Sequence, residues 1–140
     1  MVSPKESLLL GMINPRRIHH VAIIASNYEQ SKHFYTQVLG LEIIREIYRA
    51  ERDSHKLDLR VSGGGQIELF SFPHPPSRPS RPEAAGLRHL AFEVDDVAHV
   101  KASLEAQQIT VEEIRTDEIT QRRFTFLADP DGLPIELYER

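Results

Sequence analysis

The chain has 140 residues, enough for one domain with a real hydrophobic core, and its 40 % apolar and 27 % charged residues are ordinary for a soluble globular protein. A formal charge of −4 leaves no basic footprint for nucleic acid. With no cysteine, disulfides, thiolate nucleophiles and thiolate metal sites are excluded, so a metal would be held through nitrogen and oxygen, which favours Zn, Ni, Co, Fe or Mn.

Residues 1–15 read as an N-terminal extension. Its apolar stretch, Leu8 to Ile13, is short and broken by Gly11, so neither a signal peptide nor the ~20 apolar residues of a membrane helix is expected. A cytoplasmic protein is the default. A single domain is then expected over 16–140. Residues 18–25 form an apolar run of strand length. Ser26 and Glu29 have the spacing of a capping box for a helix over roughly 27–39, which places Tyr28, Tyr35, Val38 and Leu39 near one face and ends at Gly40 in a left-handed cap. Strands follow at 41–49 and 56–61, the second alternating at Leu57, Leu59 and Val61. Gly63-Gly64-Gly65 turns the chain into strand 66–72.

Residues 73–86 hold five of the nine prolines and cannot continue a sheet interior, so they read as a linker between a module at 16–72 and another at 87–140. The second module repeats the order. Strand 87–94 leads to Asp95 or Asp96 as N-cap, and a helix over roughly 96–107 aligns Val97, Val100 and Leu104. Strands near 110–115 and 122–127 follow, then the turn Asp129-Pro130-Asp131-Gly132 and a last strand at 133–138.

The two modules share more than their order. Each opens on a His (His20-Val21-Ala22-Ile23, His89-Leu90-Ala91-Phe92) and closes on Ile-Glu-Leu-aromatic (Ile67 to Phe70, Ile135 to Tyr138). His20 and Glu68 are 48 residues apart, and His89 and Glu136 are 47 apart. Side chains alternate along a strand, so each Glu lies on the face opposite its flanking aliphatic pair. A lone carboxylate there is expensive to bury, and two converging carboxylates repel. One divalent cation relieves both, and two imidazoles complete a neutral shell with positions left open for water or substrate. Taken singly, a strand His is usually a hydrogen-bonded structural residue and a strand Glu usually faces solvent. The repeat is what favours a four-ligand site of His20, Glu68, His89 and Glu136. His19 falls opposite Arg88 in the repeat and reads as structural or superficial. His33, His55, His74 and His99 have no repeat partner, though His55 could reach a cup opening.

These motifs, with Phe34-Tyr35-x-x-Val38-Leu39-Gly40-Leu41 and Asp129-Pro130-Asp131-Gly132, resemble the vicinal oxygen chelate superfamily, which includes glyoxalase I; the likeness runs from about Ile18 to Glu139. It implies an α+β fold of two βαβββ modules forming a cupped mixed sheet, one divalent metal per site (Ni, Zn, Co, Mn or Fe) and frequent homodimers whose modules pair within or between chains. In glyoxalase I the positions of His20, Glu68, His89 and Glu136 are all ligands. Epimerase-like members usually have Gln at Glu68, extradiol dioxygenases use only the equivalents of His20, His89 and Glu136, and purely binding members have lost the ligands. The full set points to glyoxalase-type chemistry, a lyase or isomerase moving a proton next to a metal-held carbonyl of a small 2-oxo or hydroxy-carbonyl substrate. By the resemblance Glu136 is the first choice of base and Glu68 the second. The chain departs at two positions, Ile24 and Phe72, where glyoxalase I carries an Arg and an Asn that meet glutathione. The alternatives are a ligand-sequestering resistance protein and, disfavoured by Glu68, an Fe(II) dioxygenase. Phe70, Phe72, Arg122 and Phe124 are candidate substrate contacts, with Arg122 or Arg123 as the anion-binding arginine and Arg52-Asp53 as a lid. Neither nucleic acid nor a membrane is an expected partner.

Overall fold

The computed structural model describes residues 12–140; most of the N-terminal extension, including most of the Leu8–Ile13 stretch, lies outside them. Module one runs β1 (His20–Ala25), α1 (Tyr28–His33), β2 (Glu42–Arg49), β3 (Ser54–Arg60) and β4 (Gln66–Ser71). Module two runs β5 (Leu90–Val94), α2 (Val97–Ala106), β6 (Arg115–Thr116), β7 (Arg123–Ala128) and β8 (Pro134–Glu139). Each module forms one mixed sheet, β1-β4-β3-β2 and β5-β8-β7-β6, in which the first strand pairs parallel with the last and the rest are antiparallel. The α+β architecture of two βαβββ modules is therefore present.

The aliphatic parity of each strand builds the core. Leu57, Leu59, Ile67 and Leu69 from module one meet Leu127, Ile135 and Leu137 from module two, with Tyr28, Tyr35, Val97 and Leu104 from the helices, in a single cluster. Burying a side chain of this size is worth about 2 kcal/mol.

Several local expectations change. The capping residue of α1 is Asn27, whose side chain accepts from the Gln30 amide at 3.0 Å. Ser26 instead turns to the second module, where its amide and hydroxyl both donate to Asp131. The helix widens over Phe34–Val38 into a π-turn, where the Thr36 hydroxyl donates to the Lys32 carbonyl and competes with the regular ladder. Gly40 then adopts φ +76°, the left-handed cap its position implied. Asp96 is the N-cap of α2. The strand expected near 110–115 shrinks to two residues, because the Glu112 amide and carbonyl are satisfied singly, by Phe126 and the Thr125 hydroxyl.

Strand β2 carries a feature that pattern reading missed. Ile43 pairs with Leu59, but Arg45, not Ile44, pairs with Asp58. This bulge adds one residue and reverses the parity of the rest of the strand. It turns Arg45, Ile47 and Arg49 onto the face that carries Glu68.

Candidate metal centre

In both modules a two-residue offset sets the His–Glu geometry. Ala22 lies beside Glu68 in the parallel β1–β4 pair, and Ala91 lies beside Glu136 in β5–β8. The His two positions before each alanine shares its face. His20 Nδ1 thereby comes within 3.5 Å of Glu68 Oε2, and His89 Nε2 within 3.5 Å of Glu136 Oε1. The two carboxylate side chains are each only 14 % exposed. Neither receives a hydrogen bond from another described residue, which is an unusual state for a largely desolvated carboxylate. Imidazole and carboxylate donors of this kind would suit a divalent cation.

The structure brings His20 together with Glu68, and His89 together with Glu136. Among the described residues of one chain, however, no three His, Asp or Glu side chains converge closely enough to hold an ion. Each chain presents two separate His–Glu pairs, the candidate half-sites.

The half-sites differ in their surroundings. Directly across β3 from Glu68 stands Asp58, which is buried. Two carboxylates in that relation repel, and two cations offset the repulsion. Lys56 Nζ lies 2.8 Å from Asp58 and 3.7 Å from Glu68, and the Arg45 guanidinium donates to the other Asp58 oxygen at 3.1 and 3.3 Å. Burial alone would push the Asp58 carboxyl up, but these two hydrogen-bonded cations hold it below its ordinary value. In module two the place across from Glu136 belongs to Phe126, whose ring meets His89 edge-on at 5.2 Å. Phe124 stacks beside it on Tyr138, and Arg115 lies over both phenylalanines. One half-site is charged and the other is walled by aromatic rings.

Phe70 shares the Glu68 face and stacks on Phe72 at 6.1 Å, and Phe124 shares the Glu136 face. Arg122 lies exposed just before β7, and Arg123 is bound to Glu139 and Asp96, away from the ligand face. His55 packs between Tyr28 and Tyr48 and does not reach either half-site. Arg52 closes a tight 3-10 turn, and the Asp53 carboxylate after it accepts from the Tyr48 hydroxyl at 2.6 Å. His19 is closer to the centre than its parity implied, with its Nδ1 2.9 Å from His20 Nδ1. The Lys56–Asp58 pair is masked in sequence by the aliphatic alternation of β3, which marks only the opposite face. The opposite parity, read against the turn at 61–65, places Asp58 opposite Glu68.

Comparison with known proteins agrees with this architecture. The chain is 57 % identical over 129 residues to the YaeR protein of Escherichia coli (strain K12), covering 92 % of this chain and all of that one. It is 30 % identical over 141 residues to a 2-epi-5-epi-valiolone epimerase of Actinomyces, covering 86 % and 77 % of the two chains. The crystal structure of a glyoxalase family protein from Enterococcus faecalis superposes with a TM-score of 0.82 at 49 % identity, over 91 % of this chain and 100 % of that one. No helix among the described residues is long and apolar enough to cross a membrane. The family model matches residues 17–137, and the chain belongs to the Glyoxalase/Bleomycin resistance protein/Dioxygenase superfamily.

Proposed function

We propose that this protein is a metal-dependent isomerase or lyase that transfers a proton at a carbon next to a carbonyl of a small 2-oxo or hydroxy-carbonyl substrate. The observation that carries the reading is the His–Glu pair built twice at the same strand offset, with both carboxylates largely buried and without hydrogen-bond donors. His20, Glu68, His89 and Glu136 would hold one divalent ion, with Ni, Zn, Co, Mn and Fe all suited to the nitrogen and oxygen donors. Such an ion supplies Lewis-acid polarisation of the substrate carbonyl.

In this reading two copies of the chain complete the centre, with module one of one copy facing module two of the other. Ile24 and Ile47 support the pairing, because both are exposed on the face that carries Glu68, where a second copy would cover them. Glu136 is the group assigned to proton transfer. Glu68 has Lys56 within ion-pair range, whereas Glu136 faces aromatic rings and His89 is its ion-pair neighbour among the described residues. A carboxylate without a competing cation is free to take a proton from one carbon and return it to the next. Both epimerisation and hemithioacetal isomerisation use that step, and the relationship to an epimerase supports the class. Ile24 and Phe72 offer apolar surface at positions suited to polar glutathione contacts in glyoxalase I, which favours a substrate other than a glutathione adduct.

The test is metal content by elemental analysis of protein prepared without chelators, after add-back of each of the five ions, for the wild type and for Glu68→Gln/Glu136→Gln. About one ion per chain in the wild type, lost in the variant, is expected. A wild type that takes up no ion overturns the reading, and a sequestering role replaces it.

A further inference from the structure

We propose that Arg49, with Lys56 beside it, forms a receptor for a carboxylate of the substrate on the module-one wall, so that the substrate is an anionic oxo or hydroxy acid. The proposal rests on the metal-dependent reading above and adds the substrate's charge.

The strand register places the groups. On the Glu68 face one cross-strand row holds Arg45, Asp58, Glu68 and Ala22. The next holds Ile47, Lys56, Phe70 and Ile24, and Arg49 pairs with Ser54 in the row beyond. The β2 bulge is what turns Arg49 to this side. Its guanidinium carbon lies 5.3 Å from the centre of the Phe70 ring, and Lys56 Nζ lies 5.9 Å from the same centre. Two cations thus flank one ring, which with Lys56 lies one row from Glu68 while Arg49 lies two rows away.

Their charge states differ. Lys56 and Arg45 are matched against Asp58 and Glu68. Arg49 makes no ion pair among the described residues. Its Nη2 donates to the Ser54 hydroxyl at 3.3 Å, a long contact, and its Nε is sealed from solvent with no acceptor. A partly desolvated guanidinium with an unmatched charge is costly unless an anion joins it, and because Nε is sealed the anion would meet the terminal nitrogens of the fork. The Arg49 guanidinium lies over the Phe70 ring, and a planar fork suits a carboxylate through two parallel hydrogen bonds. Once Glu68 and Glu136 share a divalent ion, the surplus positive charge of this wall grows, because Lys56 and Arg45 then face Asp58 alone.

The experiment uses the full chain, metal-free and metal-loaded, and follows the ¹⁵Nε–¹Hε resonance of Arg49, assigned by its loss in Arg49→Gln. Pyruvate is the carboxylate probe, methyl pyruvate its uncharged counterpart, and inorganic phosphate the competing anion. Pyruvate is expected to shift the resonance saturably in both preparations, with methyl pyruvate and phosphate having little effect. Arg49→Gln is expected to weaken pyruvate binding at least about tenfold, a loss typical of a hydrogen bond to a charged group. The control Arg60→Gln, on the exposed Glu42 pair, is expected to bind as the wild type does. An unmoved resonance, an equal response to methyl pyruvate, or a response to phosphate alone overturns the proposal. The two readings fail separately: a wild type that takes no metal but shifts with pyruvate keeps the receptor and loses the reaction, and the reverse keeps the reaction and loses the receptor.

Discussion

The hydroxyl of Tyr35 donates to Asp129 Oδ2 at 2.7 Å, joining the helix of the first module to the closing turn of the second across 94 residues of sequence. Both residues are buried. The other carboxylate oxygen of Asp129 accepts the amides of Asp131 and Leu133, so one side chain shapes the turn and fastens the modules together. Tyr35→Phe leaves that buried oxygen without its donor and is expected to cost about 2 kcal/mol of stability near neutral pH. Burial, with the Asp129 charge and hydrogen bond added, pushes the Tyr35 phenol far above its ordinary value. A raised value in the folded state means that this stabilisation is complete below about pH 10 and is lost as pH rises further. Urea unfolding of both proteins at pH 8 and pH 11 measures it: the gap should narrow at the higher pH, and a gap unchanged with pH would contradict the assignment.

The start of α1 separates what the sequence pattern conveyed from what tertiary contact decided. Ser26 and Glu29 have the capping-box spacing, yet Asn27 performs the capping and Ser26 is drawn to Asp131 of the other module. Local spacing cannot register a competitor 105 residues away. Asn27→Ala should therefore destabilise the protein by about 1 kcal/mol through the helix, as loss of an N-cap does. Ser26→Ala should leave the α1 amides as protected as before and loosen the junction at Asp131. Amide hydrogen exchange distinguishes the two, and early exchange at Glu29, the amide a Ser26 cap would hold, in Ser26→Ala would restore the capping-box reading.

The repeat made the two His–Glu pairs and the module order legible, because strand parity and offset survive in sequence. The inward turn of Arg45 and Arg49 was not legible, since a one-residue bulge at Ile43–Ile44 leaves no compositional mark but reverses every side chain after it. The clustering of Asp58 with Glu68 depended on the hairpin register, and only the aliphatic half of that register stood out.

Asp58→Asn tests this charged row. The substitution removes the counter-charge for Lys56 and Arg45 at a buried position. A destabilisation of about 2 kcal/mol is expected, Arg45 being exposed and so contributing less than a fully buried partner would. Thermal unfolding of the wild type, Asp58→Asn, Lys56→Met and Asp58→Asn/Lys56→Met gives the coupling. The second change should recover part of the loss, and additive effects would mean that Asp58 and Lys56 do not act as a pair.

The separation of the two half-sites within one chain leads to a prediction that metal content alone cannot make. One chain carries His20→Ala/Glu68→Gln and retains only the module-two pair. The other carries His89→Ala/Glu136→Gln and retains only the module-one pair. Prepared alone, neither should hold an ion, since each would offer two ligands at most to any centre. If modules of different copies face each other, unfolding and refolding the two together gives dimers of which about half are mixed, each with one complete centre and one without ligands. The mixture should then recover about a quarter of the wild-type metal content, and purified mixed dimers about half. If the four ligands instead gather within a single chain, every chain in the mixture lacks two of them and no metal returns. Elemental analysis of tagged, purified mixed dimers decides between the two arrangements, because the surrounding residues, and so the stability of each half-site, are the same in both cases.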